Sequence, residues 1–229
     1  MNRTDKGFRT ENKYIITEDI IEALYTQLCE MMYPDSNMKD NQYLVRSLYF
    51  DDYTDSCLDE VENGLREKEK FRIRTYNGDD RLIKLELKKK LDGKTKKLVC
   101  AISSKEVRDI LRNDLELSGE SEELIKRLWT EQKTRLLHPV NIVEYERMAL
   151  TDPIGNVRIT FDKNIGASNR IERFFEKNIY AIPIMPKGQH ILEVKYDEFL
   201  PEYIKRILDS WSFQRTSYSK YYNSRRGRV

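Results

Sequence analysis

The sequence predicts an α+β fold in which a closed antiparallel β-barrel has a polar, basic lumen and amphipathic helices pack on its outside. Several segments alternate an apolar face with a face of long charged side chains, which is the period of a β-strand. Segments with apolar residues at helical spacing lie between them. Helices need an apolar sheet surface to cover, so we expect the apolar strand faces to point outward and the charged faces to line the lumen.

The stretch from residue 71 to 97 shows this pattern most clearly. Arg72 and Arg74 alternate with apolar residues, and the alternation continues after an Asn-Gly pair at 77–78, a strong short-range signal for a hairpin. A third strand follows a second turn, and Lys97 lies on its charged face. The stretch therefore predicts three consecutive antiparallel strands with one cationic side.

Before this stretch, the chain predicts a strand, a helix and a second strand. Residues 8–16 alternate, with Arg9, Glu11 and Lys13 on one face and Thr10 and Tyr14 on the other, which predicts the first strand. Thr17 is placed to cap a helix with apolar residues at helical spacing, which ends by Pro34. Residues 43–50 are a β-rich run, and we expect residues 55–70 to be a charged connection.

After the cationic stretch, helices and strands alternate again. Ser103 and Glu106 form a capping box that begins one helix, a second helix is expected at 121–136, and a third begins at Pro201. The further strands are expected at residues 143–150, 157–162 and 189–196. The tail, residues 218–228, is aromatic and then basic.

The charged face of each strand gives a set of side chains for the lumen. The cations are Arg9, Lys13, Arg72, Arg74, Lys84, Lys88, Lys97, Arg147, Arg158 and Lys195, and the acids are Glu11, Glu86, Asp162 and Glu193. The face of residues 143–150 stays open, since a shifted register would turn Glu144 and Glu146 inward in place of Tyr145 and Arg147. One charged strand face is usually solvated, but repetition over several strands predicts an enclosed site for a polyanion.

Composition excludes several classes of protein. The 229 residues include 41 basic and 39 acidic side chains, and a net charge of +2 gives no global attraction to nucleic acid or membranes. Three cysteines without a CxxC spacing argue against a disulfide framework and a zinc site, and fit a reducing compartment. No apolar run approaches the length of a membrane span, so we expect a single cytoplasmic domain over residues 1–229.

The motifs of several common enzyme classes are missing. The sequence has no P-loop, GxGxxG or HExxH motif, and His138 and His190 lack partners at metal-ligand spacing. The predicted lumen instead offers many Arg and Lys side chains with a few carboxylates. Cations hold and neutralise phosphate oxygens, and a carboxylate holds a divalent metal ion, so this set predicts phosphoryl transfer.

Eight short motifs occur in an order that resembles the VTC domain, the polyphosphate polymerase catalytic domain of vacuolar transporter chaperone complexes. The motifs are ENKY at 11–14, SLYFD at 47–51, RIRTY at 72–76, ELK at 86–88, YER at 145–147, VRI at 157–159, LEVK at 192–195 and SYSKY at 217–221. The resemblance extends over nearly the whole chain, from the first of these motifs at residue 11 to the last at residue 221. The family belongs to the triphosphate tunnel metalloenzymes, so the resemblance implies a closed barrel that holds a triphosphate in a basic tunnel.

The resemblance also implies roles for individual side chains. The side chains around the reacting phosphates would be Lys13, Arg72, Arg74, Lys88, Arg147 and Arg158. Further substrate contacts would come from Lys97, Tyr145, Lys195 and Lys220. Glu193 matches the carboxylate that holds the metal ion, Mn²⁺ or Mg²⁺. Related tunnel phosphatases carry Glu-x-Glu-x-Lys in the first strand, whereas this chain has Arg9-x-Glu11-x-Lys13 and so lacks one metal-binding carboxylate.

Three functions remain open from the sequence. The first is synthesis of inorganic polyphosphate from ATP or another triphosphate, and the second is hydrolysis of tripolyphosphate or a nucleoside triphosphate. The third is a non-catalytic module that binds polyphosphate or RNA, aided by Arg225, Arg226 and Arg228 in the tail. No stacking platform of a known RNA module is recognisable, so we expect no nucleic-acid partner. Whether a membrane protein receives the product stays open.

Overall fold

The computed structural model describes residues 9–38, 40–92 and 94–227, and these form an antiparallel sheet with six α-helices. The strands are β1 (Thr10–Thr17), β2 (Tyr33–Pro34), β3 (Tyr43–Asp51), β4 (Glu67–Tyr76), β5 (Asp79–Leu91), β6 (Lys94–Ala101), β7 (His138–Asp152), β8 (Val157–Ser168), β9 (Ile182–Pro183), β10 (Gln189–Tyr196) and β11 (Gln214–Arg215). The helices are α1 (Glu18–Cys29), α2 (Ser56–Glu62), α3 (Ser104–Arg112), α4 (Glu123–Thr134), α5 (Glu202–Asp209) and α6 (Lys220–Arg226).

The sheet follows the order β11-β1-β10-β8-β7-β3-β4-β5-β6, with β2 added to β7 and β9 to β8. The sheet curls so that its two ends approach each other. Arg9 forms an isolated antiparallel bridge with Thr95, in which the Arg9 N–H donates to the Thr95 carbonyl oxygen at an N···O distance of 3.2 Å. Across the described part of the chain, no continuous ladder joins β1 to β6. The structure therefore shows a curled antiparallel sheet whose edges meet at one bridge.

The outer face of the sheet is apolar and is covered by two pairs of helices. On β10, Leu192 and Val194 belong to this outer face, whereas Glu193 lies on the opposite face. Helices α1 and α5 cover β1, β8 and β10, and helices α3 and α4 cover β4, β5 and β6. Each large apolar side chain buried in these layers contributes about 1.5–3 kcal/mol. The predicted placement of apolar strand faces against amphipathic helices is therefore confirmed for these four helices.

The inner face is less polar than the sequence predicts. Besides the charged side chains it carries an apolar and aromatic cluster that includes Val45, Tyr145, Ile191 and Tyr221. Tyr221 comes from α6, which packs against this inner cluster and not against the outer surface. The tail gives no helical prediction because α6 is short and has no apolar stripe. An aromatic plug therefore occupies part of the space that was predicted to be wholly polar.

Two elements differ from their predicted limits in a way that matters for function. Strand β4 begins at Glu67, four residues before the predicted start, and residues 56–62 of the predicted connection form α2. The start of β4 escapes pattern analysis because both of its faces are charged: Glu69 on the outer side pairs with Lys89 at 2.5 Å. The extension adds Lys68 and Lys70 to the inner face, in phase with Arg72.

The helix starts are only partly as predicted. The capping box of α3 is present: Ser103 Oγ accepts from the Glu106 N–H at 3.2 Å, and the Glu106 carboxylate accepts from the Ser103 N–H at 2.8 Å. Thr17 precedes α1, but its hydroxyl donates to Asp19 Oδ1 at 2.5 Å and makes no bond to a backbone N–H of the first turn. Within the described ranges, no helix combines the length and apolar character needed to cross a membrane.

Candidate active site

The charged side chains of the inner face fall into two groups on opposite halves of the sheet. We call the first the mixed-charge wall; it lies on β1, β10, β8 and β7 and consists of Glu11, Lys13, Arg147, Arg158, Asp162, Glu193 and Lys195. We call the second the basic wall; it lies on β4, β5 and β6 and consists of Lys68, Lys70, Arg72, Arg74, Lys84, Glu86, Lys88, Lys90 and Lys97. Acids and cations are nearly balanced on the first wall, and cations dominate the second.

Asp162 organises the deepest part of the mixed-charge wall. Arg147 forms a two-pronged pair with its carboxylate, at 2.6 Å from Nε and 2.8 Å from Nη2, and Lys220 of α6 donates to it at 2.5 Å. Burial alone would raise the pKa of Asp162, but Arg147 and Lys220 hold that pKa below its usual value. Asp162 is therefore ionised and fixes both cations in place.

Glu193 and Glu11 form a second centre on the same wall. Lys195 lies 3.2 Å from the Glu193 carboxylate, while Lys13 lies 3.7 Å from Glu193 and 3.5 Å from Glu11. Burial would raise the pKa of Glu193, but Lys195, a hydrogen bond with Glu11 and Lys13 hold it well below its usual value. Two adjacent carboxylates thus meet at this point of the wall.

This carboxylate pair fits a divalent cation only in part. Carboxylate oxygens are the ligands that Mg²⁺ and Mn²⁺ prefer, and Glu193 is held ionised. In the described ranges no group of three or more His, Cys, Asp or Glu side chains could hold a metal ion by itself. The donor set therefore suits an ion whose shell is completed by phosphate oxygens of a bound substrate.

On the basic wall, Glu86 is the acid that offsets two cations. Its side chain is fully buried; Arg72 pairs with it at 2.5 Å and Lys97 at 3.2 Å. Burial would raise the pKa of Glu86, but Arg72, Arg74 and Lys97 hold it well below its usual value. The phenol of Tyr49 accepts from Arg72 at 3.4 Å. Glu86 is therefore a structural counter-ion inside a strongly positive region.

Arg74 is a buried cation without an acidic partner. Its side chain donates to Ser47 Oγ at 3.2 Å and to the Tyr145 hydroxyl at 3.3 Å, and no described carboxylate lies within ion-pair distance. Burial would raise the pKa of neighbouring Tyr49, yet Arg72 and Arg74 lower it to about 8. A buried charge costs free energy unless it is paired, so this position favours an anionic ligand.

Access to the site is from the side where β5, β6 and β1 meet. The Lys97 side chain is 46% exposed and that of Lys88 35%, whereas that of Arg147 is 8% exposed. Partial burial, as the main cause, lowers the pKa of Lys88 and Lys97 to about 8. Lys88 also pairs with Glu11 at 3.2 Å, which ties the basic wall to the mixed-charge wall.

The structure brings most of the predicted site residues together on the inner face. These are Lys13, Arg72, Arg74, Lys88, Lys97, Tyr145, Arg147, Glu193, Lys195 and Lys220. Arg158 lies on the same face but is held away from them, because it pairs with Asp35 at 2.5 Å and donates to the Tyr43 hydroxyl at 2.8 Å. Arg9 likewise lies at the edge of the sheet and pairs with Asp197 at 2.7 Å.

The structure also answers the question of register on β7. Tyr145 and Arg147 face inward, while Glu144 pairs with the buried Arg46 at 2.6 Å and Glu146 accepts from Asn164 at 3.0 Å. A one-residue shift would separate Glu144 from Arg46 and leave that cation buried without its partner. The outward contacts of Glu144 and Glu146 therefore determine that Tyr145 and Arg147 face inward.

Glu11, which is predicted for the lumen, stands beside Glu193 because β1 pairs with β10. Ser47 and Tyr49 are not among the predicted site residues, yet they reach the arginines from β3. Their strand parity is the signal that could have found them. In the tail, Arg225 pairs with Asp55 at 2.6 Å and Arg226 pairs with Glu62, whereas Arg228 lies outside the described residues.

Comparisons with known proteins show the family and the fold of this chain. The family model of the VTC domain matches residues 8–226. A proposed adenylyl cyclase from Hippeastrum, described as having a dominant triphosphatase activity, is similar in structure: 14% identity, 96% of this chain and 97% of that chain covered, TM-score 0.59. A proposed adenylate cyclase from Bacillus halodurans is also similar in structure, with 14% identity, 88% of this chain and 86% of that chain covered, and a TM-score of 0.51. A comparison with curated sequences gives no match. With the family model matching nearly its whole length, the chain belongs to the VTC domain family.

Proposed function

We propose that this protein is a metal-dependent phosphoryl-transfer enzyme that synthesises inorganic polyphosphate from ATP. The observation that carries the proposal is Arg74, a buried guanidinium that donates to two hydroxyl groups and forms no ion pair within the described residues, since the nearby Glu86 is paired with Arg72 and Lys97. Such a position is costly without an anion and favourable with one. Membership of the VTC domain family supports phosphate chains as that anion.

In this proposal the two edges of the sheet enclose a tunnel around the phosphates. The bridge between Arg9 and Thr95 and the pair of Lys88 with Glu11 support it, because both link the first and last parts of the sheet. A confined space of this kind limits water and strengthens electrostatic interactions with bound phosphate. The two walls then face the same substrate from opposite sides.

Four residues of the basic wall supply the phosphate clamp: Arg72, Arg74, Lys88 and Lys97. Arg72 and Arg74 present planar guanidinium groups that hold phosphate oxygens in pairs and neutralise the charge of the transferring group. Lys88 and Lys97 stand nearer the open side, where they hold the terminal phosphate of the acceptor. Donor and acceptor are both polyanions, so these cations offset their mutual repulsion and position them for transfer.

The mixed-charge wall supplies the metal ligands. Glu193, with Glu11 beside it, would hold Mn²⁺ or Mg²⁺, which neutralises phosphate charge when bound. Lys13 and Lys195 lie beside both carboxylates, help to hold the pKa of Glu193 well below its usual value, and present ammonium groups to phosphate oxygens. Asp162 holds Arg147 and Lys220 at the deep end of the site. Both substrates bring their own reacting oxygens, so no nucleophile from the protein is required.

Hydrolysis of tripolyphosphate or a nucleoside triphosphate is the second candidate. Two observations favour it: the exposure of Lys88 and Lys97 admits water to the site, and a protein of similar fold is described as a triphosphatase. The same clamp would then act with water as the acceptor. The two candidates differ in how well the loaded site excludes water.

Incubation of the protein with ATP and Mn²⁺ tests the proposal. We expect an acid-labile phosphate polymer and ADP, measured by gel electrophoresis and by nucleotide analysis, and no polymer from an Arg74→Met variant. Free phosphate without polymer would make the protein a hydrolase. ATP binding without turnover under either metal would contradict an enzymatic role.

A further inference from the structure

Five lysines on the basic wall form two rows across neighbouring strands. Lys70, Lys88 and Lys97 face one another across β4, β5 and β6, and Lys68 faces Lys90 in the next row. We call these five residues the lysine ladder. Facing side chains begin about 5 Å apart, and the two rows are separated by about 7 Å. The ladder is therefore a compact patch of positive charge.

The outer part of the ladder forms no close ion pair with a described carboxylate; Glu60 and Asp51 act on Lys68 and Lys70 only from a greater distance. Like charges that face each other across strands destabilise a sheet. Lys68, Lys70 and Lys90 have no carboxylate within ion-pair distance among the described residues. Lys70 instead lies 3.5 Å from the centre of the Tyr221 ring. A row of facing cations without counter-ions is favourable when an anion bridges them.

The ladder runs from the proposed phosphate site to the protein surface. Lys88 and Lys97 belong to that site, and Lys90 is exposed two residues further along β5. Lys90 lies about 14 Å along the strand from the level of Glu86, at about 3.4 Å per residue. A triphosphate clamped at Arg72 and Arg74 would leave Lys90 and Lys68 without a phosphate partner.

We propose that the outer rungs of the lysine ladder, Lys68 and Lys90, bind the part of a long inorganic polyphosphate chain that extends beyond the active site. The inference rests on the proposed function and adds a preference for long chains. Polyphosphate fits better than a nucleic acid, because the ladder rows present no free aromatic face within the described residues: Lys70 covers the ring of Tyr221. A linear polyphosphate chain has one charge per phosphate and no bases to stack, so lysine ammonium groups are sufficient to bind it.

The test compares two ligands on the Lys68→Gln/Lys90→Gln variant by titration calorimetry. For polyphosphate of several tens of units, we expect affinity to fall about tenfold and the slope of log affinity against log salt to become shallower by about one unit. Tripolyphosphate affinity should not change. The matched control, Lys177→Gln/Lys205→Gln, removes the same charge at exposed positions outside the ladder and should leave both affinities unchanged.

A charge-preserving variant separates binding from folding. Lys68→Arg/Lys90→Arg should bind long polyphosphate like the wild type, and thermal melting should show all variants folded. Unchanged affinity for long polyphosphate in the Lys68→Gln/Lys90→Gln variant, or an equal loss of affinity in the control variant, would overturn the proposal. So would a single-stranded RNA that binds as tightly as polyphosphate and depends on the same lysines. If the wild type binds neither tripolyphosphate nor polyphosphate, the proposed function itself fails.

Discussion

The two walls of the inner face carry similar side chains in opposite electrostatic states. On the mixed-charge wall, each of Lys13, Arg147 and Lys195 lies within ion-pair distance of a carboxylate. On the basic wall, Glu86 pairs with Arg72 and Lys97, and Arg74 has no carboxylate within ion-pair distance among the described residues. The charges of the first wall are therefore nearly balanced without a ligand, whereas the second wall keeps an excess of positive charge until an anion binds.

This difference separates structure from binding. A paired, buried cation holds the fold together, and removing it leaves a buried acid without its partner. An unpaired, buried cation weakens the free protein and gains most when an anion arrives. Mutations on the two walls should therefore have opposite effects on stability and on affinity.

The largest effect should come from Glu193→Gln on the mixed-charge wall. The change keeps the shape of the side chain and removes the charge that would hold the metal ion. We expect metal-dependent turnover to fall by at least about 100-fold. Tripolyphosphate affinity, measured without metal, should stay equal or increase, since one repelling charge has gone. Turnover at the wild-type rate with the same Mn²⁺ dependence would show that Glu193 is only an ion-pair partner of Lys195.

Glu86→Gln should remove the carboxylate that the basic wall itself contains. Arg72 would lose its buried counter-ion, so we expect the free energy of unfolding to fall by about 3 kcal/mol without ligand. Tripolyphosphate should restore much of this loss, because it binds the folded state. Glu123→Gln is the control, since its pair with Lys126 is exposed and contributes less than about 1 kcal/mol. An equally small loss of unfolding free energy in both variants would show that Glu86 does not stabilise the positive charges of the basic wall.

A smaller effect is expected from pH, which should change both the affinity for ATP and the stability of the free protein. Burial, as the main cause, lowers the pKa of Lys70 and Lys97 to about 8. Both lysines lose their charge as pH rises through 8, so affinity for metal-free ATP should fall several-fold between pH 7 and pH 9. Their unfolded pKa is about 10.4, so the unfolded chain binds more protons in this range, and the free protein gains stability as pH rises above 8.

Calorimetric titration from pH 7 to 9.5 measures this dependence, and Lys97→Arg is the control because its guanidinium stays charged. Most of the ATP γ-phosphate is already ionised at pH 7, and its remaining titration acts equally on the wild type and on the Lys97→Arg variant. The Lys97→Arg variant should show a flatter profile than the wild type. A wild-type profile that is already flat would mean that these lysines do not contact the phosphates.

The sequence predicts which side chains share a face but not which faces meet. Alternation places Arg72 with Arg74 and Glu193 with Lys195, because the period of a strand is two residues. The meeting of Glu11 with Glu193 depends on pairing between β1 and β10, which lie far apart in the chain. The pattern of residues within either strand does not predict how the two strands pair.

The elements that the sequence misses share one physical cause. The start of β4 carries charges on both faces, so it lacks the apolar alternation that marks a strand. Helix α6 is short and polar, and it is held by tertiary contacts such as that of Lys220 with Asp162. Packing, and not local propensity, decides both segments.

The most direct measurement of the difference between the walls pairs Arg74→Met with Arg147→Met. For each variant, tripolyphosphate affinity is measured by calorimetry and unfolding by denaturant titration. Arg74→Met should weaken binding about 10- to 100-fold and leave stability unchanged or higher. Arg147→Met should lower the free energy of unfolding by about 3–5 kcal/mol, because Asp162 loses its two-pronged partner. Wild-type affinity in Arg74→Met together with a marked loss of stability would contradict the account.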